Sequence, residues 1–196
     1  MSKPRTANPA LAISEADLAS ALALIGTEIH HQPLRSSALA RIMRETFHGS
    51  DAGGAWDWRM AYDLMQAAAI QVLLRGDNAV DDIATAKLLA SRLLTETRRS
   101  EQQIRLQQFS TPLPFAALAA RAAAIRKGET VLEPSAGTGA LAAFAARAGA
   151  TLLLNEIDPF RQHLLRAVFG GEVTGHDGEH IDDLLQTPVL PDVVVM

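Results

Sequence analysis

A chain of 196 residues that is 48% hydrophobic and 20% charged, with a mean hydropathy of +0.07, can bury a core for one large or two small domains and is not a disordered tail. The absence of cysteine excludes disulfide frameworks, Cys-ligated zinc and thiolate nucleophiles. The net charge of −4 divides as 12 Lys and Arg against 12 Asp and Glu in residues 1–107 and 6 against 10 in 108–196, so neither part binds nucleic acid by charge alone.

Any such contact would fall to local basic clusters such as Arg98, Arg99 and Arg105. No apolar stretch approaches the ~20 residues a bilayer requires. Residues 1–10 lack the apolar region of a signal peptide, and the expectation is a soluble, cytoplasmic chain.

Ser14-Glu15-Ala16-Asp17 reads as a capping box that opens a helix through the apolar run to Ile29. A second helix is expected over 37–47, ended by Gly49, Gly53 and Gly54. Trp58, Tyr62, Met65, Ala69 and Val72 recur at spacings of four and three, which predicts a helix over 58–74 with one buried stripe and Gly76 as its C-cap. A further helix is expected over 81–106, with Ile83, Leu89, Leu93 and Leu94 apolar and a charged end in solvent. Residues 1–106 thus read as an all-helical region.

From Gln107 the pattern changes. A Pro-punctuated segment leads into an Ala-rich helix, and β-branched runs at 130–133, 151–155, 172–174 and 192–196 then alternate with helical stretches at 139–148, 159–169 and 179–185. That alternation predicts an α/β fold, a partial Rossmann-like parallel sheet following the helical region.

The chemistry concentrates in Val131-Leu132-Glu133-Pro134-Ser135-Ala136-Gly137-Thr138-Gly139-Ala140, a strand running into a glycine turn and then a helix. Glycines let a ligand lie against bare backbone, and the helix start offers unpaired N–H groups. An acid at the strand end repels a pyrophosphate but suits the cationic ammonium of S-adenosylmethionine. Gly137, Gly139 and Ala142 also satisfy the loose dinucleotide pattern, which leaves an NAD-binding fragment as an alternative, although Glu133, Pro134, Ser135 and Ala136 intervene where that pattern puts its first glycine almost directly after the strand. A plain connecting turn is the third reading.

Asn155-Glu156-Ile157-Asp158-Pro159 ends the second strand, with Glu156 lying 23 residues after Glu133, about one β-α-β repeat. Both acids would then share the carboxyl edge of the sheet, where Glu156 can take both ribose hydroxyls and Ile157 can face adenine. Asp158 and Pro159 read as the N-cap and first residue of the next helix. After the third strand, Asp177 can either hydrogen-bond the adenine amino group or cap a helix near Glu179. His176, His180 and the His30-His31 pair lack the spacing of a metal site.

With Glu133-Pro134-x-Ala136-Gly137-x-Gly139 and Glu156-Ile157-Asp158-Pro159 in register, residues 107–196 resemble class I S-adenosylmethionine-dependent methyltransferases of the adenine-N6 DNA methylase type. The upstream Gln107-Gln108-Phe109-Ser110-Thr111-Pro112 resembles the motif that precedes the family's first strand. The resemblance covers slightly under half the chain. It implies S-adenosyl-L-methionine as cofactor, with Thr111 at the methionine carboxylate, Glu133 and the Ala136–Gly137 backbone at the methionine amino end, Glu156 at the ribose, Ile157 and Asp177 at the adenine, and Phe109, Ser135 and Gly139 also among the cofactor-binding residues. It also implies a sheet in the order 3-2-1-4 and DNA as partner.

A finer resemblance, carried by Gly54-Ala55-Trp56-Asp57-Trp58-Arg59-Met60-Ala61-Tyr62-Asp63 ahead of the QQFSTP motif, is to the methylase-like region preceding the helicase of bacterial strawberry notch-type proteins. The family's catalytic Asn/Asp-Pro-Pro-aromatic motif follows the fourth strand, and here the sequence ends at Val193-Val194-Val195-Met196. The resemblance therefore implies a catalytically incomplete piece of a longer protein, with no catalytic residue among those named. A non-catalytic scaffold or DNA-docking module beside a helicase is the other reading, and the tryptophans are either core or part of that docking surface.

Overall fold

Ser14 opens the first helix, its Oγ accepting the Asp17 N–H at 3.0 Å, while its hydroxyl donates to the Asp17 carboxylate at 2.8 Å. The acid thus reaches back to the capping hydroxyl. The computed structural model describes residues 13–77, 81–96, 110–185 and 190–196. Helix α1, Glu15–His31, buries Leu18, Leu22, Ile25 and Ile29, an i, i+4, i+7, i+11 stripe. Helix α2, Ser36–Thr46, follows, and of the three glycines after it only Gly54 takes a positive φ.

Helix α3, Trp58–Arg75, is capped by Asp57, which accepts the Met60 N–H at 2.8 Å. The expected single stripe is too narrow. Met60 to Met65, Ala67 to Ile70 and Leu73 are all buried, so α3 is enclosed on every side because helices from both regions pack around it. Trp56 and Tyr62 are core residues, and Trp56 donates its indole N–H to Gly49 O at 3.0 Å.

Helix α4, Asp82–Arg92, is shorter than the expected 81–106. The Arg92 carbonyl accepts the Leu34 N–H at 2.9 Å, and its guanidinium reaches Ile29 O and His30 O at the end of α1 at 3.0 and 2.6 Å. Leu93 is extended, and Leu93 and Leu94 turn back onto the core. Residues 97–109, which hold Arg98, Arg99, Arg105 and the expected boundary at 106, lie outside the described residues.

The α/β region begins with helix α5, Leu113–Ala122, and strand β1, Thr130–Glu133. Helix α6, Ala140–Arg147, strand β2, Thr151–Asn155, and helix α7, Pro159–Phe169, follow. Strand β3, Val173–Thr174, leads through a 3-10 turn, Gly178–His180, into helix α8, Ile181–Leu184, and strand β4 is Val193–Val194. The fold is α/β. Among the described residues four strands form a parallel sheet ordered β3-β2-β1-β4, with Glu133 level with Leu154 across β1 and β2.

Helix α6 packs on α5 and α3, and α7 on α3 and α1. Val131, Leu141, Phe144 and Leu164 share one core with Leu18, Met65 and Leu73, so apolar packing runs unbroken from the helical to the α/β region. Arg147, at the end of α6, pins the two together. It donates to Leu73 O at 2.9 Å and Asp77 O at 3.1 Å at the end of α3, and to the Asp82 carboxylate at 2.7 Å at the start of α4. No helix among the described residues is long and apolar enough to cross a membrane.

Candidate functional site at the carboxyl edge of the sheet

Strand β1 delivers Glu133 to the carboxyl edge, and the turn after it is built by two left-handed glycines, Gly137 at φ +57 and Gly139 at φ +92. Gly139 is required for a second reason. A Cβ there would stand 2.4 Å from Phe169 Cε2 and 2.9 Å from Leu165 Cδ2, so this glycine lets α7 close onto the start of α6. Its place in the site is that of a packing residue beneath the turn.

Glu133 is 3% exposed, and its Oε2 accepts the Ala142 N–H at 2.9 Å in the first turn of α6. Burial pushes its carboxyl up to about 8 from an ordinary 4.5, because one N–H does not restore what water gave and a neighbouring acid, Glu156, adds to the rise. Glu156 joins the two loops. Its Oε2 accepts the Gly137 N–H at 2.7 Å and its Oε1 the Asp158 N–H at 2.8 Å, so one carboxylate spans the turn after β1 and the turn after β2. Burial pushes Glu156 up as well, against those N–H groups and Arg161.

Asp158 caps α7 as its pairing with Pro159 predicts, accepting the Phe160 and Arg161 N–H groups at 3.0 and 3.1 Å. Ile157 beside it is 50% exposed. Asp177 is exposed and caps the 3-10 turn, its Oδ1 accepting the Glu179 N–H at 3.1 Å, so the capping alternative describes its present bond. Ser135 is exposed and Ala136 buried, with the Ala136 N–H on Asn155 O at 2.9 Å. Phe109 lies outside the described residues.

Asn155 is the residue that sequence reasoning passed over. Its amide donates to Pro134 O at 2.8 Å and His176 O at 2.9 Å, and its Oδ1 accepts the His176 N–H at 2.9 Å, tying together the loops after β1, β2 and β3. A polar amide directly after the apolar run of β2 was the available signal. Those loops stand close, since a Cβ on Gly178 would meet Ser135 Oγ at 2.9 Å and Pro134 O at 3.3 Å.

Thr111 lies just ahead of α5. It lines a cavity of about 310 Å³ together with Thr138, Ala140, Gln66 and Leu94, at the seam between α3, α4 and the start of α6. Thr138 donates its hydroxyl to Gln66 Oε1 at 2.8 Å, so the glycine turn is braced from α3.

A second brace is ionic. Arg161 forks onto Asp63 of α3 at 2.9 and 3.2 Å, with both side chains 3% exposed or less, and Arg59 pairs with Asp158. Burial pushes the Asp63 carboxyl up, against the Arg161 fork on both its oxygens and the charge of Arg59. Burial disfavours the Arg161 charge, yet Asp63, Glu156 and Asp158 together hold its guanidinium above the ordinary value. Burial would raise Asp158 too, but Arg59 and the capping N–H groups outweigh it and hold the carboxyl down. Among the described residues no group of three or more His, Asp or Glu could hold a metal ion.

No protein-family profile, curated protein or solved structure matches the chain.

Proposed function

We propose that the chain is the cofactor-binding part of an S-adenosylmethionine-dependent methyltransferase of the adenine-N6 DNA methylase type, acting in the cytoplasm. The Glu156 carboxylate carries the reading. Each of its oxygens accepts one backbone N–H, from Gly137 and from Asp158, at the carboxyl edge of a parallel α/β sheet. A carboxylate oxygen has two lone-pair positions, so a second position on each is suited to the vicinal hydroxyls of a ribose.

The neighbouring residues fit the rest of such a ligand. Ile157 offers adenine an exposed apolar face, and Asp177 an acceptor for its amino group. Glu133 places a buried carboxyl near the glycine turn, whose ionised form a neighbouring ammonium would favour, and Thr111, at the mouth of α5 beside the cavity, suits a carboxylate. When bound, the cofactor supplies an electrophilic methyl group on a sulfonium. This chain's residues hold the ribose, exclude water from two buried acids and fix the loop spacing through Asn155. DNA as acceptor and a helicase region as partner extend the reading through the resemblance.

Calorimetric titration with S-adenosylmethionine and its demethylated product tests this. Binding by the wild-type chain is expected, with a loss of roughly 10- to 100-fold in Glu156→Gln, the range for one hydrogen-bonded charge, and no heat with NAD. A folded wild-type chain that binds neither adenosyl ligand overturns the proposal.

A further inference from the structure

Five charged side chains meet where α3 crosses the start of α7: Asp63, Asp158 and Glu156 against Arg59 and Arg161. Three carboxylates share two guanidiniums, so the distribution of partners decides what each acid can do for a ligand. We infer that Asp63 is a positioning residue for Glu156, its fork on Arg161 holding that guanidinium off the carboxylate lone pairs that a ribose diol needs. This rests on the ribose-binding reading of Glu156.

The geometry leaves Arg161 little choice. Its backbone N–H is fixed on Asp158 Oδ1 at 3.1 Å, which anchors it beside the loop that carries Glu156. Its Nη1 lies 3.9 Å from where a Cβ on Gly137 would stand, and Gly137 is the residue whose N–H Glu156 accepts. Asp158 is the more fully engaged of the two other acids, with Arg59 on Oδ2 and both positions of Oδ1 filled by the capping N–H groups, whereas each Glu156 oxygen holds one N–H. A guanidinium released from Asp63 therefore has Glu156 as the carboxylate with the most open positions, and a buried cation without a partner is too costly to stay so. An arginine fork on Glu156 would occupy both oxygens and displace the hydroxyls. The helical region thus enters the chemistry of the site through one aspartate.

The test compares two probes, S-adenosylhomocysteine and its 2′,3′-dideoxy analogue, on the full chain. The wild type is expected to prefer the diol-bearing ligand by about tenfold or more, the worth of hydrogen bonds to a charged group. In Asp63→Asn that preference should fall toward one, while affinity for the dideoxy analogue stays within about twofold, well under the ~1.4 kcal/mol of a tenfold change. A structural defect weakens both ligands alike, so an unchanged ratio in Asp63→Asn overturns the inference while leaving the ribose site standing. A wild-type chain that binds neither ligand overturns both readings together. Should Asp63→Asn fail to fold by circular dichroism, adding Arg161→Met to Asp63→Asn removes the guanidinium together with its partner. The wild-type preference for the diol is expected there, and a preference near one overturns the inference.

Discussion

Replacing Glu133 by Gln isolates the cost of a carboxylate sealed under a helix start. In the unfolded chain this side chain ionises near 4.5, whereas in the fold it holds its proton to about 8. Between those values unfolding releases a proton, so the group's contribution is fully present below about pH 4.5, is lost as pH rises, and levels off above 8. At 1.36 kcal/mol per pH unit the whole excursion amounts to at most roughly 5 kcal/mol, a large share of the ~5–15 kcal/mol that stabilises a typical domain. Glutamine keeps the shape, keeps an oxygen for the Ala142 N–H and never ionises. Urea unfolding of both chains at steps from pH 4 to 9 should therefore give similar midpoints at the acid end and a gap in favour of Gln that widens up to about pH 8. A gap that stays constant with pH would refute the reasoning, because it would mean that Glu133 ionises at the same pH folded and unfolded.

Gly139→Ala places a methyl group against Phe169 and Leu165 at a residue with φ +92, and a loss of at least 2–3 kcal/mol by denaturant unfolding is expected from strain and overpacking together. Arg147→Met removes a guanidinium whose three nitrogens donate to the Leu73, Gly76 and Asp77 carbonyls and the Asp82 carboxylate. A loss of about 2–4 kcal/mol follows, and hydrogen exchange should show the last turn of α3 opening before its middle.

The sheet was readable because β1, β2 and α7 each announce themselves within a few residues. β-branched or leucine runs end in an acid or amide, and Asp158-Pro159 starts a helix where both residues are favoured. Glu133 and Glu156 were legible for the same local reason. Burial of α3 on all sides was not, since Ala61, Ala67, Ala68 and Ala69 carry little hydrophobic periodicity and vanish only when neighbours close over them. The end of α4 was hidden differently. Leu93 and Leu94 continue the apolar pattern after the helix has stopped, and it is the Leu34 N–H on the Arg92 carbonyl that marks the change. Asp63 in mid-helix carries no sign of a partner 98 residues away, and Asn155 reads as an ordinary strand end until three loops converge on it.

The buried fork between Asp63 and Arg161 also sets an order of events during synthesis. Helix α3 leaves the ribosome with its carboxylate and apolar surface complete, but the arginine that pairs with it follows 98 residues later. At translation rates of about 5–20 residues per second, that is a wait of roughly 5–20 s. Contacts of such long range form late in folding, because closure of the intervening chain must precede any reward from them. Throughout the wait α3 lacks the helices α6 and α7 that close over it in the fold, and Asp63 can remain only where water reaches it, so that side of the nascent helix stays open until α7 arrives. The segment at the centre of the finished core is thus among the last to become dry.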